Sequence, residues 1–453
     1  MNKFLESLKS VKWLSPLVAI WEIKELRQKI LFTIGLIIVY RFGAQVTLPG
    51  IDPMKLESLA KQATGNPLLD LLNQFTGGAF SKASVFALGV MPYISASIIV
   101  QLMGIAVPYI QKLQKQGESG RKKITQITRY LTIAVTLVQG PGYLFNLHRI
   151  LPREAFLLPD SLFVPASLVI LSTGTIFAMW LGERITDKGI GNGISILIMV
   201  GIIARMPAAL MQEFTNRVTQ QQGGLMLLLF EVAVWLGVIA LSIYLVRAYR
   251  PVPVQYARRT VGGGFEKNIF GARQYIPLKL NAAGVMPIIF AQAIMFIPPL
   301  LVSFSDSAWA KNMQAIFSNI FGFWYNVVFG LMVILFTYFY TAITVQTNQI
   351  AEDLKRNGGF IPGIKPGTQT AEYLDEILSK ITLPGSIFLA IIAILPIFAY
   401  HLFRMQQGWA MFYGGTSLLI MVGVAIDTIQ QIEAYLLNRQ YDQLMKSGRR
   451  RRL

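Results

Sequence analysis

Leu225-Met-Leu-Leu-Leu-Phe-Glu-Val-Ala-Val-Trp-Leu-Gly-Val-Ile-Ala-Leu-Ser-Ile-Tyr-Leu-Val246 carries a single charged side chain, Glu231. A bilayer core about 30 Å thick needs about 20 apolar residues of helix to cross it. This run is long enough. Outward from it, similar blocks lie at 29–48, 83–103, 127–147, 162–182, 190–210, 282–303, 323–345, 381–402 and 409–430. Composition agrees: 53% of the 453 residues are hydrophobic and 14% charged, too little charge to cover a soluble chain of this length. The expected fold is an all-α polytopic membrane protein of ten transmembrane helices. The first span is the weakest, because Arg41 interrupts it near one end.

Ten spans put both termini on one side. If that side is the cytosol, about three quarters of the 41 Lys and Arg residues fall there, as positive-inside topology requires. The chain is therefore predicted N-in and C-in. Part of its +18 net charge then anchors the protein against anionic lipids, and no DNA partner is expected. Residues 1–28 form no cleavable signal peptide. Lys3, Glu6, Lys9 and Lys12 recur every third residue beside Phe4, Leu5, Leu8, Val11 and Leu14, the pattern of an amphipathic helix on the cytosolic surface. Five spans then form a first half over 29–210. An external connection at 211–224 leads to a second half over 225–430, and 431–453 is a basic cytosolic tail.

Two cytosolic loops are too long and too charged to be simple connectors. Residues 247–280 hold seven basic side chains, from Arg247 to Lys279, against Glu266, with a Val-Pro-Val run before Gly262-Gly263-Gly264 that reads as a glycine-tipped hairpin. Residues 346–380 contain Pro362-Gly-Ile-Lys-Pro-Gly367, an exposed turn before a short helix. Before span two, Pro67-Leu-Leu-Asp-Leu-Leu-Asn-Gln-Phe75 has a helical pattern too short to span and is closed by Gly77-Gly78. It fits either a half-helix lining a protein cavity or a re-entrant helix lying on the surface.

Several chemistries are excluded. There is no Cys, hence no disulfide or thiolate site, and His148 and His401 lie far from other metal ligands in sequence. His-Glu-x-x-His, Gly-x-Ser-x-Gly and Gly-x-x-x-x-Gly-Lys-Ser/Thr are all missing, so neither an enzyme, a cofactor nor a bound nucleotide is expected. Gly189-Ile-Gly-Asn-Gly193 follows no strand and is no dinucleotide loop. The rival is a secondary solute transporter with inverted repeats. Ion-coupled carriers place acids deep in their spans, whereas only Glu231 and Asp427 fall within apolar spans here, both near an end.

Five stretches make the reading specific: Phe86-Ala-Leu-Gly-Val-Met-Pro-Tyr-Ile-Ser-Ala-Ser-Ile-Ile-Val-Gln-Leu102, Gly117-Glu-Ser-Gly-Arg-Lys-Lys123, Leu181-Gly-Glu-Arg-Ile-Thr-Asp-Lys-Gly-Ile-Gly-Asn-Gly-Ile-Ser195, Pro277-Leu-Lys-Leu-Asn281 and Gly414-Gly-Thr-Ser-Leu-Leu-Ile420. In this order and spacing the chain closely resembles the SecY family, the central channel subunit of the bacterial Sec translocase. The resemblance runs from about residue 30 to 440. It implies two pseudo-symmetric five-helix halves around a central pore in a bacterial plasma membrane. Through this protein-conducting channel, signal-bearing precursor proteins cross unfolded, and membrane helices leave sideways into lipid. With no nucleotide site of its own, the channel is expected to be driven by the ribosome or by SecA, in a complex with SecE and SecG.

The same resemblance assigns residues. Val90, Ile94, Ile198, Ile289 and Ile420, with Ala293 as a weaker sixth, match the ring of apolar side chains that seals the pore. Such a ring dewets when empty and deforms around a passing chain. Taken singly, each is also an ordinary aliphatic residue of a membrane helix, and Val90 is smaller than the isoleucine usual there. Pro67, Leu68, Leu69, Asp70, Leu71, Leu72, Asn73, Gln74, Phe75, Thr76, Gly77 and Gly78 match the plug. Gln101 and Asn281 match polar positions of the lateral gate between spans two and seven; the bland alternative is a static interhelical bond. Arg258, Arg259 and Lys365 match contacts to ribosome or motor, against a merely solvated basic face. Lys365 stands where the family has Arg, keeping the charge without the bidentate fork.

Overall fold

The computed structural model describes residues 23–53, 76–219, 224–256, 274–295 and 319–450, with Trp21, Asn73, Asn312, Ile316 and Phe317 as single positions. The predicted N-terminal amphipathic face, the glycine-rich hairpin tip and most of the 67–78 segment lie outside the described residues. The chain forms two compact units, Met1–Leu210 with Val424–Leu453, and Met211–Gly423.

The first unit contains α1 (Lys24–Gly43), α2 (Met91–Ala106), α3 (Pro108–Lys115), α4 (Glu118–Ile150) and α5 (Asp160–Lys188). Most of α6 (Gly193–Phe214) and the later part of α13 (Gly415–Arg450) also belong to it. In α1 the helix runs earlier than the apolar block, so Arg41 falls in its last turn. A cation suits the negative end of the helix dipole there. Span two starts only at Met91, because Ala83 and Gly89 hold positive φ and Pro92 fits the first helical turn. It breaks at Val107, whose φ −106°, ψ 112° is the extended conformation forced on the residue before a proline. The bend to α3 is 100°.

Packing in this unit joins α2 to α4, α4 to α5 and α1 to α5. Leu48, Ala87, Tyr143, Leu147, Phe163 and Leu171 lie in its buried core. The 189–193 loop shows how tightly it is tied. Its backbone N–H groups donate to Thr33 Oγ1 from Ile190, to Gln431 Oε1 from Gly191 and to Thr186 Oγ1 from Gly193. Donors that could have faced a phosphate are consumed inside the protein. Glycine is required here: a Cβ on Gly193 would stand 1.9 Å from the Gly182 carbonyl oxygen.

The second unit holds α7 (Gly224–Arg247), β1 (Tyr249–Tyr256), β2 (Gln274–Lys279), α8 (Met286–Met295), α9 (Phe323–Thr344), α10 (Thr347–Arg356), β3 (Gly359–Phe360), α11 (Thr368–Phe403), α12 (Gln407–Ala410) and the start of α13. Its apolar core centres on Ile288, Ala291, Phe329, Val333, Leu389, Ile392 and Leu419. The end of α6 does not stop at residue 210 but runs on into a π-turn, Thr215–Thr219. There the buried Arg217 pairs with Glu213 and Glu231. The block at 409–430 likewise starts its long helix only at Gly415, after the short α12.

Beyond helices, the chain builds a small sheet of order β2-β1-β3. β1 pairs antiparallel with β2, Pro251 facing Pro277 and Val252 facing Ile276. Two opposed prolines have no N–H to exchange, so the ladder bonds must run through the alternate pairs. β1 then pairs with β3 at Gln255 and Phe360. Val252, Val254, Leu278, Leu354, Ile361, Leu374 and Ile377 close a separate core under this sheet. The described parts of the loops 247–280 and 346–380 therefore fold as one module.

Among the described residues, six helices are long and apolar enough to cross a membrane: Asp160–Lys188, Gly193–Thr219, Gly224–Arg247, Phe323–Arg356, Thr368–Phe403 and Gly415–Leu437. The bent pair Met91–Gly104 and Pro108–Gln114 makes a seventh if counted as one span.

Candidate pore, gate and loop sites

In the first unit, Val90 is the N-cap of α2 and its carbonyl accepts the Ile94 N–H at 3.1 Å. The two aliphatic side chains thus stand one turn apart on the same helix face. Val90 is buried and Ile94 half-buried. Ile198 is buried on α6, whose start is capped by Asn192 Oδ1 accepting the Ser195 N–H.

Of the proposed plug, Asn73, Thr76, Gly77 and Gly78 are described; Pro67 to Leu72, Gln74 and Phe75 lie outside the described residues. The Asn73 carbonyl accepts the Gly78 N–H at 2.9 Å, and its Oδ1 accepts the Ser81 N–H at 3.1 Å. Thr76 Oγ1 accepts the Phe80 N–H at 3.1 Å. Tyr143 of α4 donates to the Phe80 carbonyl at 2.9 Å, anchoring the turn to the helical core.

In the second unit, Ile289 and Ala293 stand one turn apart on α8, both half-buried, while Ile420 is buried on α13. A side-chain hydrogen bond from Thr416 Oγ1 to Gln292 Oε1, both buried, joins these two helices. Gln292 neighbours Ala293, and Thr416 lies one turn before Ile420. This bond fixes the register between the aliphatic residues of the two helices. Sequence reasoning missed the pair, although a Gln inside an apolar block was the signal to follow.

Gln101 is half-buried on α2 in the first unit, and Asn281 is buried in the turn before α8 in the second. Among the described residues, Gln101 Oε1 and Asn281 Oδ1 are buried acceptors without a hydrogen-bond partner. A buried amide acceptor left open costs about 1–3 kcal/mol. Lys365 is exposed in the turn ahead of α11, and its carbonyl accepts Thr370 Oγ1 at 2.9 Å. Arg258 and Arg259 lie outside the described residues, in the connection between β1 and β2. No group of three metal-ligating side chains occurs among the described residues.

Apolar helices of spanning length, broken by prolines and carrying aliphatic residues at matched turns, define a polytopic helical membrane protein. The profile of the SecY family matches residues 84–429, and the chain belongs to that family. It is 41% identical over 432 residues to the protein translocase subunit SecY of Streptomyces scabiei, covering 93% of this chain and 97% of that one. It is 40% identical over 429 residues to the SecY subunit of Aquifex aeolicus, covering 94% and 98%. Among solved structures, a protein-conducting channel superposes with a TM-score of 0.57 at 15% identity, covering 90% of this chain and 92% of that one. Sec61 from a canine ribosome–channel complex superposes with a TM-score of 0.53 at 15% identity, again over 90% and 92%. These two likenesses concern the fold.

Proposed function

We infer that this chain, a protein-translocation channel subunit by family, crosses a bacterial plasma membrane ten times with both termini in the cytosol. A described helix overlaps each of the ten apolar segments, which supports that count. The observation that carries the reading is the placement of the family's seal positions. Val90 and Ile94, and again Ile289 and Ala293, occupy successive turns of proline-started helices, the first pair inside the family-like stretch Phe86–Leu102. Such aliphatic arcs exclude water and ions without binding a passing chain.

Signal-bearing precursors pass in extended form, and membrane helices leave between α2 and α8, where Gln101 and Asn281 supply contacts weak enough to break. Hydrogen bonds between membrane helices average about 0.6 kcal/mol and reach about 2. The sheet module carrying Lys365, with Arg258 and Arg259 in its hairpin, engages the ribosome or SecA. SecE and SecG complete the complex, and the basic faces lie against anionic lipids. The solute-carrier reading is disfavoured, because Glu231 is ion-paired to Arg217 and Asp427 is exposed. Reconstitution with SecE, SecG and SecA tests the proposal: a signal-bearing precursor becomes protease-protected. Solute uptake without precursor protection would reject it.

A further inference from the structure

Arg41, the charge that breaks the first apolar block, has a specific partner. From the last turn of α1 its Nη1 donates to the Gly77 carbonyl at 3.2 Å. Gly77 has φ +64°, and a Cβ built there would stand 2.4 Å from Arg41 Nη1 and 2.9 Å from the Gly201 Cα on α6. Only glycine permits so close an approach in that conformation. Gly201 follows Ile198 by less than one helical turn. On its other flank, the turn places Thr76 Cγ2 3.5 Å from the Cβ position of Gly89, the residue before Val90. The 76–78 turn thus touches both backbone segments of the first unit that carry seal residues. It is braced internally by Asn73, Thr76 and Ser81.

We propose that Arg41 and Gly201 are positioning residues of the resting channel, docking the Thr76–Gly78 turn onto the segments that bear Val90 and Ile198. This rests on reading the aliphatic ring and the 67–78 segment as the channel's seal. A half-buried guanidinium is costly unless engaged, and a hydrogen bond from a charged donor exceeds a neutral one. Losing it shifts the closed state against leaky states by about tenfold or more, the range one hydrogen bond from a charged group supplies.

The test uses the complex with SecE and SecG in planar bilayers, measuring ion conductance without precursor, with Ile94→Ser as the control for the ring. Arg41→Ala is expected to raise resting conductance about tenfold or more. Arg41→Lys, which keeps a charged donor, lies between it and the parent. Gly77→Ala raises conductance as well, because its Cβ cannot share space with Gly201. Parent-level conductance in Arg41→Ala and Gly77→Ala, beside a leaking Ile94→Ser, overturns the positioning role and leaves the ring intact. A lower unfolding temperature for Arg41→Ala without added conductance overturns it equally. If Ile94→Ser is also silent, the seal reading fails and takes this proposal with it.

Discussion

Arg217 Nη2 lies 2.7 Å from Glu231 Oε1, with the arginine side chain 3% exposed and the glutamate fully buried. The same guanidinium holds Glu213 Oε1 at 2.7 Å through Nε and donates to the Phe403 carbonyl at the end of α11. Glu213 Oε2 in turn accepts the Gln406 N–H at 2.8 Å. One cation therefore serves two carboxylates and ties the end of α6 to α7 and to the stretch after α11. Removing it strands two buried negative charges. Arg217→Ala is expected to destabilise by about 3–5 kcal/mol, whereas Glu231→Gln leaves a neutral Arg–Glu pair and costs less. Thermal unfolding in detergent checks the order; equal losses would refute the argument.

Orientation is open to direct labelling, because the chain has no cysteine of its own. A cysteine replacing Gln369, exposed at the start of α11, is expected to react with an impermeant thiol reagent only from the cytosolic side. One replacing Ser307 reacts only from outside. The opposite pattern removes the N-in, C-in topology.

The ring and plug assignments predict leakage. Ile94→Ser with Ile198→Ser, or deletion of residues 67–75, raises ion flux through the resting complex, since hydroxyls or a missing segment let the constriction wet. Background flux in both variants would contradict the assignments.

The sheet module predicts a separation of binding from folding. Lys365→Glu, or Arg258→Glu with Arg259→Glu, weakens SecA stimulation and ribosome affinity most strongly at low salt, the signature of rim charges. Val254→Asp acts differently. It puts a charge into a core position 1% exposed and unfolds the module itself, which limited proteolysis reads as new cleavage sites. Unaltered motor stimulation in the charge variants returns those residues to a solvated face.

The lateral gate predicts a dependence on linker length. Cysteines replacing Gln101 and Asn281, joined by a short cross-linker, stop precursor transport and membrane insertion. A flexible linker longer than a helix diameter, about 10 Å, restores both. Full activity with the short linker would falsify the gate.

Amino-acid order alone located the apolar blocks, but not where each helix begins and ends. The length of an apolar block against bilayer thickness is a one-dimensional quantity, and so is the distribution of Lys and Arg that predicts orientation. The glycines of Leu181–Ser195 were visible as a motif, and their cause, the contact of Gly193 with Gly182, is nearly local. The prolines were visible too, yet their effects needed backbone geometry: Pro108 ends α2 at Val107, and Pro92 lets it begin at Met91. Only the tertiary structure decided what lies far apart in sequence but close in space. No periodicity announced that Val254 and Leu374 share a core, or that Gln292 meets Thr416. Glu231 stood out as a charge in an apolar run, but its partner Arg217 lay in a segment that read as an external connection. Burial energy depends on which surfaces meet. Pairings across such separations are set by packing and charge compensation in three dimensions, which the local pattern does not record.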